Sequence, residues 1–297
     1  MKAHFLLLCL LLEGMASEQL RGIPRLKDVT KRNRLEDRRR ESCNDTTLDF
    51  SAVAETLIQL DVGGISLAIN PKKSCSSRTD PYEEPLLVSQ KSRLKDRDTV
   101  KELKKLLDED LTKGQRHQDA FLKAIVNTEV MQCLEDYLTA KAGRNIVLRD
   151  VLDKYWFTKY PRGSTYSTGF GHVFQGEVKR RKVSGLHNWE SLQKKGYRFC
   201  FKKFLELDHK GYVVETILKG NQLKTVFVET TPELEMALYT LCFSFRKSQK
   251  EHKCFLQERN FYITTFKNMQ KEAIETAYPE IEFEGRERHS HRRRPRH

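Results

Sequence analysis

The chain has 297 residues and a formal net charge of +13 at neutral pH, with 38% hydrophobic and 32% charged residues. Beyond an apolar run at the N-terminus, no stretch approaches the roughly 18 uncharged apolar residues of a membrane-spanning helix, which excludes later spans. No C-x-x-C pair is present, which excludes the usual zinc spacing.

The N-terminus has the layout of a secretory signal peptide. Met1 and Lys2 precede an apolar run from Phe5 to Leu12, and the residues from Gly14 to Ser17 suit cleavage. The run is too short to span a bilayer. The alternative to a cleaved signal peptide is an amphipathic anchor that the mature protein retains. We therefore predict a signal peptide over residues 1–17 and a secreted protein.

The positive charge is concentrated in two flanks. Residues 18–42 carry nine Lys/Arg against five Asp/Glu, and residues 284–297 carry six against two. Segments this polar cannot bury enough surface to fold, so we predict a basic flexible linker over 18–45 and a basic disordered tail over 284–297. The flanks are either solvated tails without function or arms that collect RNA, and sulfated polysaccharides would respond to the same charge.

Six cysteines follow the signal segment, an even number that suits a secreted, disulfide-bonded protein but leaves many pairings open. We expect Cys43 to pair with Cys75, because they flank the first irregular part of the domain. Cys133 and Cys242 lie in apolar helical patterns and are expected to be buried free thiols. Asn44 begins an Asn-Asp-Thr sequon, which predicts a glycosylation site.

The first half of the central region has the period of helices. Apolar residues recur at helical spacing over 98–111, 121–138 and 148–156, and we interpret them as core faces. Residues 159–163, which read KYPRG, should turn the chain. No internal repeat is present, so one folded unit is expected.

The second half has the period of strands. Alternating β-branched and aromatic residues predict strands over 170–178, 182–186, 197–207, 212–218 and 222–228. A helix should begin at TTPE, residues 230–233, where a threonine can cap, proline suits the first turn and glutamate suits the positive helix end. Helices followed by antiparallel strands place the protein in the α+β class.

Two histidines in this half, His172 and His187, lie beside glycines and small residues. If both stand at adjacent strand ends, a hairpin would bring them to one cleft. A structural histidine bonded to the backbone is the commoner situation, and spacing alone does not establish contact.

Five segments of the chain read FLKAIVNTEVM (121–131), GFGHVFQGE (169–177), VSGLHNW (183–189), TPELEMALYTLCF (231–243) and TAYP (276–279). In sequence and in order they resemble hallmarks of the EndoU, or poly-U-specific, endoribonuclease family. The resemblance implies an EndoU-like domain over 46–283, with a helical N-terminal half and an antiparallel-sheet C-terminal half facing a catalytic cleft. It also implies Mn2+-dependent cleavage of single-stranded RNA at uridines, leaving a 2′,3′-cyclic phosphate.

The resemblance also assigns catalytic residues. His172 and His187 match the family's two catalytic positions, and Lys224 matches its lysine, with Lys219 as the alternative. One imidazole would take the 2′-hydroxyl proton and the other would protonate the leaving 5′-oxygen, in an order that the sequence leaves open. The lysine would stabilise charge on the phosphate.

Other positions match the family in part. Thr276 and Tyr278 match its base-recognition pair, a hydroxyl to read uracil and a ring to stack on it, and Glu177 matches a supporting acidic position. Gly171 stands where the family usually has a glutamate, so a secreted protein that binds RNA or another polyanion without cleaving it is the alternative function. The metal ligands are not identified by the sequence, and we expect a monomer.

Overall fold

The structure is a computed structural model that describes residues 43–62, 68–78, 80–88, 94–111, 116–179, 182–219, 221–246 and 252–282. The predicted signal peptide, most of the predicted linker and the predicted tail lie outside these residues. The described residues belong to one compact unit that begins at Cys43. No helix within the described ranges is long and apolar enough to cross a membrane.

The first half is helical, as the sequence predicts. Its helices are α1 (Phe50–Leu60), α2 (Asp98–Leu106), α3 (Gln118–Val126), α4 (Glu129–Ala142) and α5 (Leu148–Leu152), and a π-helical turn over Asp153–Phe157 continues α5. Side-chain caps from Asp49 and Thr128 begin α1 and α4. A short antiparallel pair, β1 (Ala68–Ile69) and β2 (Leu87–Val88), lies between α1 and α2.

The second half contains antiparallel strands. β3 (Tyr160–Arg162) pairs with β4 (Thr165–Ser167), and β5 (Glu177–Lys179) pairs with β6 (Lys182–Ser184). One three-stranded sheet contains β7 (Phe199–Glu206), β8 (Tyr212–Leu218) and β9 (Gln222–Val228), and another contains β10 (Lys253–Leu256), β11 (Phe261–Lys267) and β12 (Ile274–Ile281). With the helices of the first half, these sheets confirm the α+β class.

Two helices complete the second half, α6 (Trp189–Lys194) and α7 (Pro232–Phe245). The predicted start of α7 is confirmed, because the Thr231 hydroxyl accepts a hydrogen bond from the Leu234 N–H at 3.2 Å. Every α7 residue from 232 to 243 is buried, so this helix passes through the core. Buried Trp156 reaches it through a hydrogen bond from Nε1 to the Thr240 hydroxyl.

The strand predicted over 170–178 is wrong for its first seven residues. The Thr168 hydroxyl accepts a hydrogen bond from the Gly171 N–H at 2.9 Å and begins a helical turn, and residues Gly171–Gln175 form a π-helical turn. The chain becomes extended only at Glu177, after Gly176 adopts a left-handed φ of +69°. His172 therefore lies on a helical turn and not at a strand end.

The predicted disulfide bonding is confirmed, but the predicted pairing of Cys43 with Cys75 is wrong. The disulfides join Cys43 to Cys133, Cys75 to Cys200, and Cys242 to Cys254, so Cys133 and Cys242 are not free thiols. The apolar pattern predicts burial of Cys133 and Cys242 correctly, but burial does not distinguish a thiol from a disulfide. Cys75 meets Cys200, 125 residues away in sequence, because its segment hydrogen-bonds to β7 at Phe201.

The sheet of β7, β8 and β9 lies between two hydrophobic clusters. Phe227 of β9 points into the larger cluster, which includes residues of α1–α5 and α7. Val226 and Val228 point to the opposite face, into a smaller cluster with Trp189 and other residues. Because side chains alternate along a strand, Lys224 shares the face of Val226 and Val228, which places a buried cation next to this smaller cluster.

Candidate active site

The segment before His187 packs directly on the turn that carries His172. The Leu186 N–H donates to the His172 carbonyl at 2.9 Å, and the His187 N–H donates to the Val173 carbonyl at 2.7 Å. His172 is buried, whereas His187 keeps partial exposure. Main-chain hydrogen bonds thus bring together the two histidines that the sequence singles out.

Gly185 makes this close approach possible. Its φ is +67°, and a Cβ atom there would lie 1.9 Å from the His172 carbonyl oxygen and 3.0 Å from His172 Cδ2. The next residue, buried Leu186, is also left-handed, with φ of 63°. A left-handed leucine costs on the order of 1–3 kcal/mol and persists only where surrounding packing holds it.

The ring of His187 has a defined tautomer. Its Nδ1 lies 3.1 Å from the carbonyl oxygen of Thr225, and because a carbonyl only accepts, Nδ1 carries the hydrogen and Nε2 keeps a lone pair. Burial and the positive charge of Lys224 lower the pKa of His187 to about 3, against the opposing effect of the Thr225 hydrogen bond. At neutral pH, Nε2 of His187 is therefore a proton acceptor.

The predicted base-recognition residues lie beside His187. The ring of Tyr278 on β12 stacks on the imidazole, with centroids 4.9 Å apart and planes at 23°. Thr276 stands two residues earlier on the same strand and is partly exposed. Because the alternation of the strand puts both side chains on one face, a hydroxyl and an aromatic ring border the site at its His187 end.

Lys224 lies with the histidines, and Lys219 does not. The Lys224 Nζ donates to the carbonyls of Val183 at 2.9 Å and Gly185 at 2.6 Å, and burial lowers its pKa. An ammonium has three donors, so these two bonds leave one for a ligand. Lys219 is exposed, with its Nζ 6.0 Å from the ring centroid of Tyr82.

Glu177 faces the ring of His172. Its Oε2 lies 3.3 Å from His172 Nδ1, at ion-pair distance but without the alignment of a hydrogen bond, and 2.9 Å from Arg162 Nε. The Ser167 hydroxyl donates to the other carboxylate oxygen. Burial alone would raise the pKa of Glu177, but the contacts with His172 and Ser167 and the charge of Arg162 outweigh it, so the pKa is lowered. An ionised carboxylate therefore faces Nδ1 of His172.

Arg162 is a site residue that the sequence reasoning missed. Its guanidinium contacts both Glu177 and Glu275, and Nη1 lies 3.1 Å from Oε1 of Glu275. Glu275 is an extra residue at a register shift between β11 and β12, and its carbonyl accepts from the Tyr160 hydroxyl. The bulge thus turns Glu275 toward β3. The sequence places Arg162 in a Pro-Arg-Gly turn, a signal for chain reversal but not for a catalytic partner.

The residues that the structure describes do not fit the manganese site that the resemblance implies. The described part of the chain contains no group of three or more His, Cys, Asp or Glu side chains that could hold a metal ion. The carboxylate nearest His172, Glu177, is already engaged by Arg162, His172 and Ser167. We therefore assign no chemical step to a metal.

The site thus combines a neutral imidazole (His187), an imidazole paired with a carboxylate (His172) and a buried ammonium (Lys224). Groups of these kinds can cleave a phosphodiester by acid–base catalysis, which is the chemistry of a ribonuclease. The chain belongs to the XendoU endoribonuclease family, whose model matches residues 49–279. The predicted family and its fold are thus confirmed.

Individual relatives agree with this membership. Uridylate-specific endoribonuclease D of Xenopus laevis is 28% identical, over 83% of this chain and 87% of its own length. The human uridylate-specific endoribonuclease is 35% identical over 43% of this chain, and the match spans 35% of that protein. The solved structure of XendoU, a splicing independent snoRNA processing endoribonuclease, matches 77% of this chain and 96% of its own, with a TM-score of 0.61 and 25% identity.

Proposed function

We propose that this protein cleaves single-stranded RNA after uridines, by attack of the uridine 2′-hydroxyl on the adjacent phosphate, and leaves a 2′,3′-cyclic phosphate. The observation that carries the proposal is the difference between the two histidines. His187 is neutral with a free Nε2 lone pair, and His172 is paired with the Glu177 carboxylate. The relatives compared above are named uridylate-specific endoribonucleases, which supports the choice of uridine.

His187 acts as the general base. Its Nε2 accepts the proton of the 2′-hydroxyl, whose oxygen then forms a bond to phosphorus. The pKa of about 3 applies without substrate, and an anionic phosphate placed between His187 and Lys224 would raise it toward the working pH. Because the nucleophile belongs to ribose, DNA should bind without being cut.

His172 acts as the general acid. With Nδ1 facing Glu177, Nε2 is the nitrogen left for substrate, and it donates a proton to the 5′-oxygen as the bond from phosphorus to that oxygen breaks. The remaining N–H donor of Lys224 stabilises the non-bridging oxygens, whose negative charge grows in the transition state.

Thr276 and Tyr278 recognise the uracil. Tyr278 already stacks on His187, so a base that stacks on this tyrosine brings its own ribose 2′-hydroxyl toward the imidazole. The Thr276 hydroxyl can donate to or accept from the edge of the base.

The alternative, a protein that binds RNA without cleaving it, is favoured by Gly171, which supplies no carboxylate next to His172. The test is incubation of an end-labelled RNA that contains one uridine, with and without manganese, followed by analysis of the product ends. A 2′,3′-cyclic phosphate at the uridine, lost in His172→Ala and His187→Ala, supports the enzyme. Intact RNA that the protein retains supports the alternative.

We also propose that the protein is a secreted monomer glycosylated at Asn44. Three disulfides suit an oxidising compartment, and Asn44 is exposed. Cells that express the protein with its signal peptide should secrete it, and the secreted Asn44→Gln variant should have a lower mass because it lacks the glycan.

The predicted polyanion partners are tested by binding. If the protein binds RNA or sulfated polysaccharide and this binding weakens as the salt concentration rises, the prediction is supported.

A further inference from the structure

A second aromatic side chain lies next to the proposed uracil-binding residues. Phe266 on β11 pairs directly with Thr276 on β12, and Tyr278 pairs with Thr264. Directly paired residues of two antiparallel strands share a face of the sheet, so these four side chains occupy the corners of one patch. The two rings stand at opposite corners of the patch, and the two threonines stand at the others.

The ring of Phe266 is accessible from outside the protein. It is 37% exposed, whereas Phe261, on the other face of β11, is fully buried in the core. Thr276 and Tyr278 are partly exposed as well. The ring of Phe266 therefore retains apolar surface that a bound base could cover.

A histidine supports each of the two rings. Tyr278 stacks on His187, and Phe266 stacks on His252 with ring centroids 4.6 Å apart and planes at 24°. An aromatic ring has two faces, and each of these stacks uses one of them. One face of Tyr278 and one face of Phe266 therefore lie outside the two stacks.

The spacing of the rings suits a single base. Diagonal neighbours on two paired strands lie about 7–8 Å apart, within reach of aromatic side chains. A flat base that contacts a ring on each of its faces needs about 3.5–4 Å on either side. The corners between the rings carry only short threonine side chains, which leave this space open.

The two threonines differ in what they offer to a base. Thr264 is buried, and its hydroxyl donates to the Glu280 carboxylate at 3.2 Å. Thr276 is partly exposed, so its hydroxyl is the one that can meet the polar edge of a base between the rings.

We propose that Phe266 is the second wall of the uracil site, so that the base inserts between Phe266 and Tyr278 with its polar edge at Thr276. The inference rests on the proposed function, because it takes Thr276 and Tyr278 as the uracil-binding residues. It adds a specificity residue that lies outside the five segments that resemble the family. A base held on both faces also fixes its ribose, which favours approach of the 2′-hydroxyl to His187.

The test uses probes that carry at most one base and have no 2′-hydroxyl, so that they cannot be cleaved. One probe is the methyl ester of 2′-deoxyuridine 3′-phosphate, and the other is the same ester without the base. In NMR titrations the wild-type protein should bind the uracil probe more tightly than the abasic probe. Phe266→Ala should weaken binding of the uracil probe about tenfold, the scale of one base stacked on an aromatic side chain, and leave binding of the abasic probe unchanged.

Three further variants serve as controls. Phe266→Tyr keeps a flat ring and should bind the uracil probe as tightly as the wild-type protein. Phe266→Leu keeps an apolar side chain without a flat face and should bind this probe as weakly as Phe266→Ala. Phe204→Ala removes a ring that is 46% exposed on β7, and it should change neither affinity.

Unchanged binding of the uracil probe in Phe266→Ala would overturn the inference. It would do so even if a dinucleotide bound more weakly to this variant, since Phe266 would then hold a neighbouring base. Equal weakening of both probes would also overturn it, because Phe266 would then act through the sheet. In these cases the proposed function stands as long as the wild-type protein cleaves RNA after uridine.

The proposed function fails by different results. Absence of cleavage of a uridine-containing RNA by the wild-type protein would contradict the proposed reaction, whatever the probes show. Equal affinities of the wild-type protein for the uracil and abasic probes would contradict the base site itself, and the role of Phe266 with it.

Discussion

The Nζ of Lys224 lies 2.6 Å from the carbonyl oxygen of Gly185, the residue whose backbone packs against His172. One glycine thus connects the proposed phosphate-binding cation to the proposed acid, and His187 follows two residues later. The relative positions of three proposed catalytic groups depend on the conformation of a single turn.

Gly185→Ala should disrupt the site more than it destabilises the fold. Its Cβ would lie 1.9 Å from the His172 carbonyl oxygen, so the turn, Lys224 or His172 must move. We expect cleavage to fall at least a hundredfold, since a displacement of about 1 Å can cost that much in rate. Initial rates and thermal unfolding of the same preparation measure the two effects.

Gly196→Ala is the matched control for this change. Gly196 has φ of +62°, close to that of Gly185, but a Cβ there would meet nothing within 4 Å. It should show only the strain of a left-handed alanine, about 1–2 kcal/mol, and keep its activity. If the two variants lose equal activity, the contact with His172 is not important.

Lys224→Gln should reduce kcat by on the order of a hundredfold to a thousandfold, because it removes a charge aimed at the transition state. An amide can still donate to the carbonyls that Lys224 contacts, so folding should be retained. Lys219→Gln removes the same charge from an exposed position and should leave kcat unchanged. A comparable loss in both variants would mean that overall charge, and not this ammonium, matters.

Glu177→Gln should lower kcat by about tenfold or more and change KM little, because it removes the counterion of the proposed acid. Glu275→Gln is a close control, since both carboxylates contact Arg162 but only Glu177 has an ion-pair contact with His172. We expect a clearly smaller loss for Glu275→Gln in steady-state kinetics. Equal losses would indicate that Arg162, and not the His172 pair, is the important partner.

His187 should make the fold sensitive to acid. Its pKa is about 3 in the folded protein, against an ordinary value near 6.5, so between these pH values the unfolded chain binds a proton that the folded protein does not. Unfolding free energy should therefore fall as the pH drops through this window. The melting temperature should fall less between pH 7 and pH 4 in His187→Asn than in the wild-type protein, and an equal fall would contradict the lowered pKa.

The sequence predicted the elements that depend on local chemistry. The Thr-Pro-Glu start of α7 was placed correctly because capping and proline preferences act within one turn. Strands β8 and β9 were placed with their observed bounds, because the preference of β-branched and aromatic residues for strands is also a local signal. The histidines and Lys224 were found through the family resemblance, and the structure brings them together.

The features that were missed depend on contacts between distant segments. The turn at His172 was predicted as a strand because residues such as Val173 and Phe174 favour strands. The observed helical turn is held by hydrogen bonds from the N–H groups of Leu186 and His187, which the local pattern does not reveal. The partner of Cys75 lies on β7, and the role of Arg162 arises only where a bulge in β12 presents Glu275. Neither pairing leaves a periodic signal in the sequence.

The central claim, that His172 is the acid and His187 the base, is tested most directly by changing the leaving group. In a uridine-containing RNA whose scissile 5′-oxygen is replaced by sulfur, the leaving group departs as a thiolate and needs no proton. The account predicts that His172→Ala, nearly inactive on the natural RNA, recovers most of its rate on the sulfur substrate, while His187→Ala stays inactive on both. Recovery in His187→Ala instead, or in neither variant, would contradict the assignment.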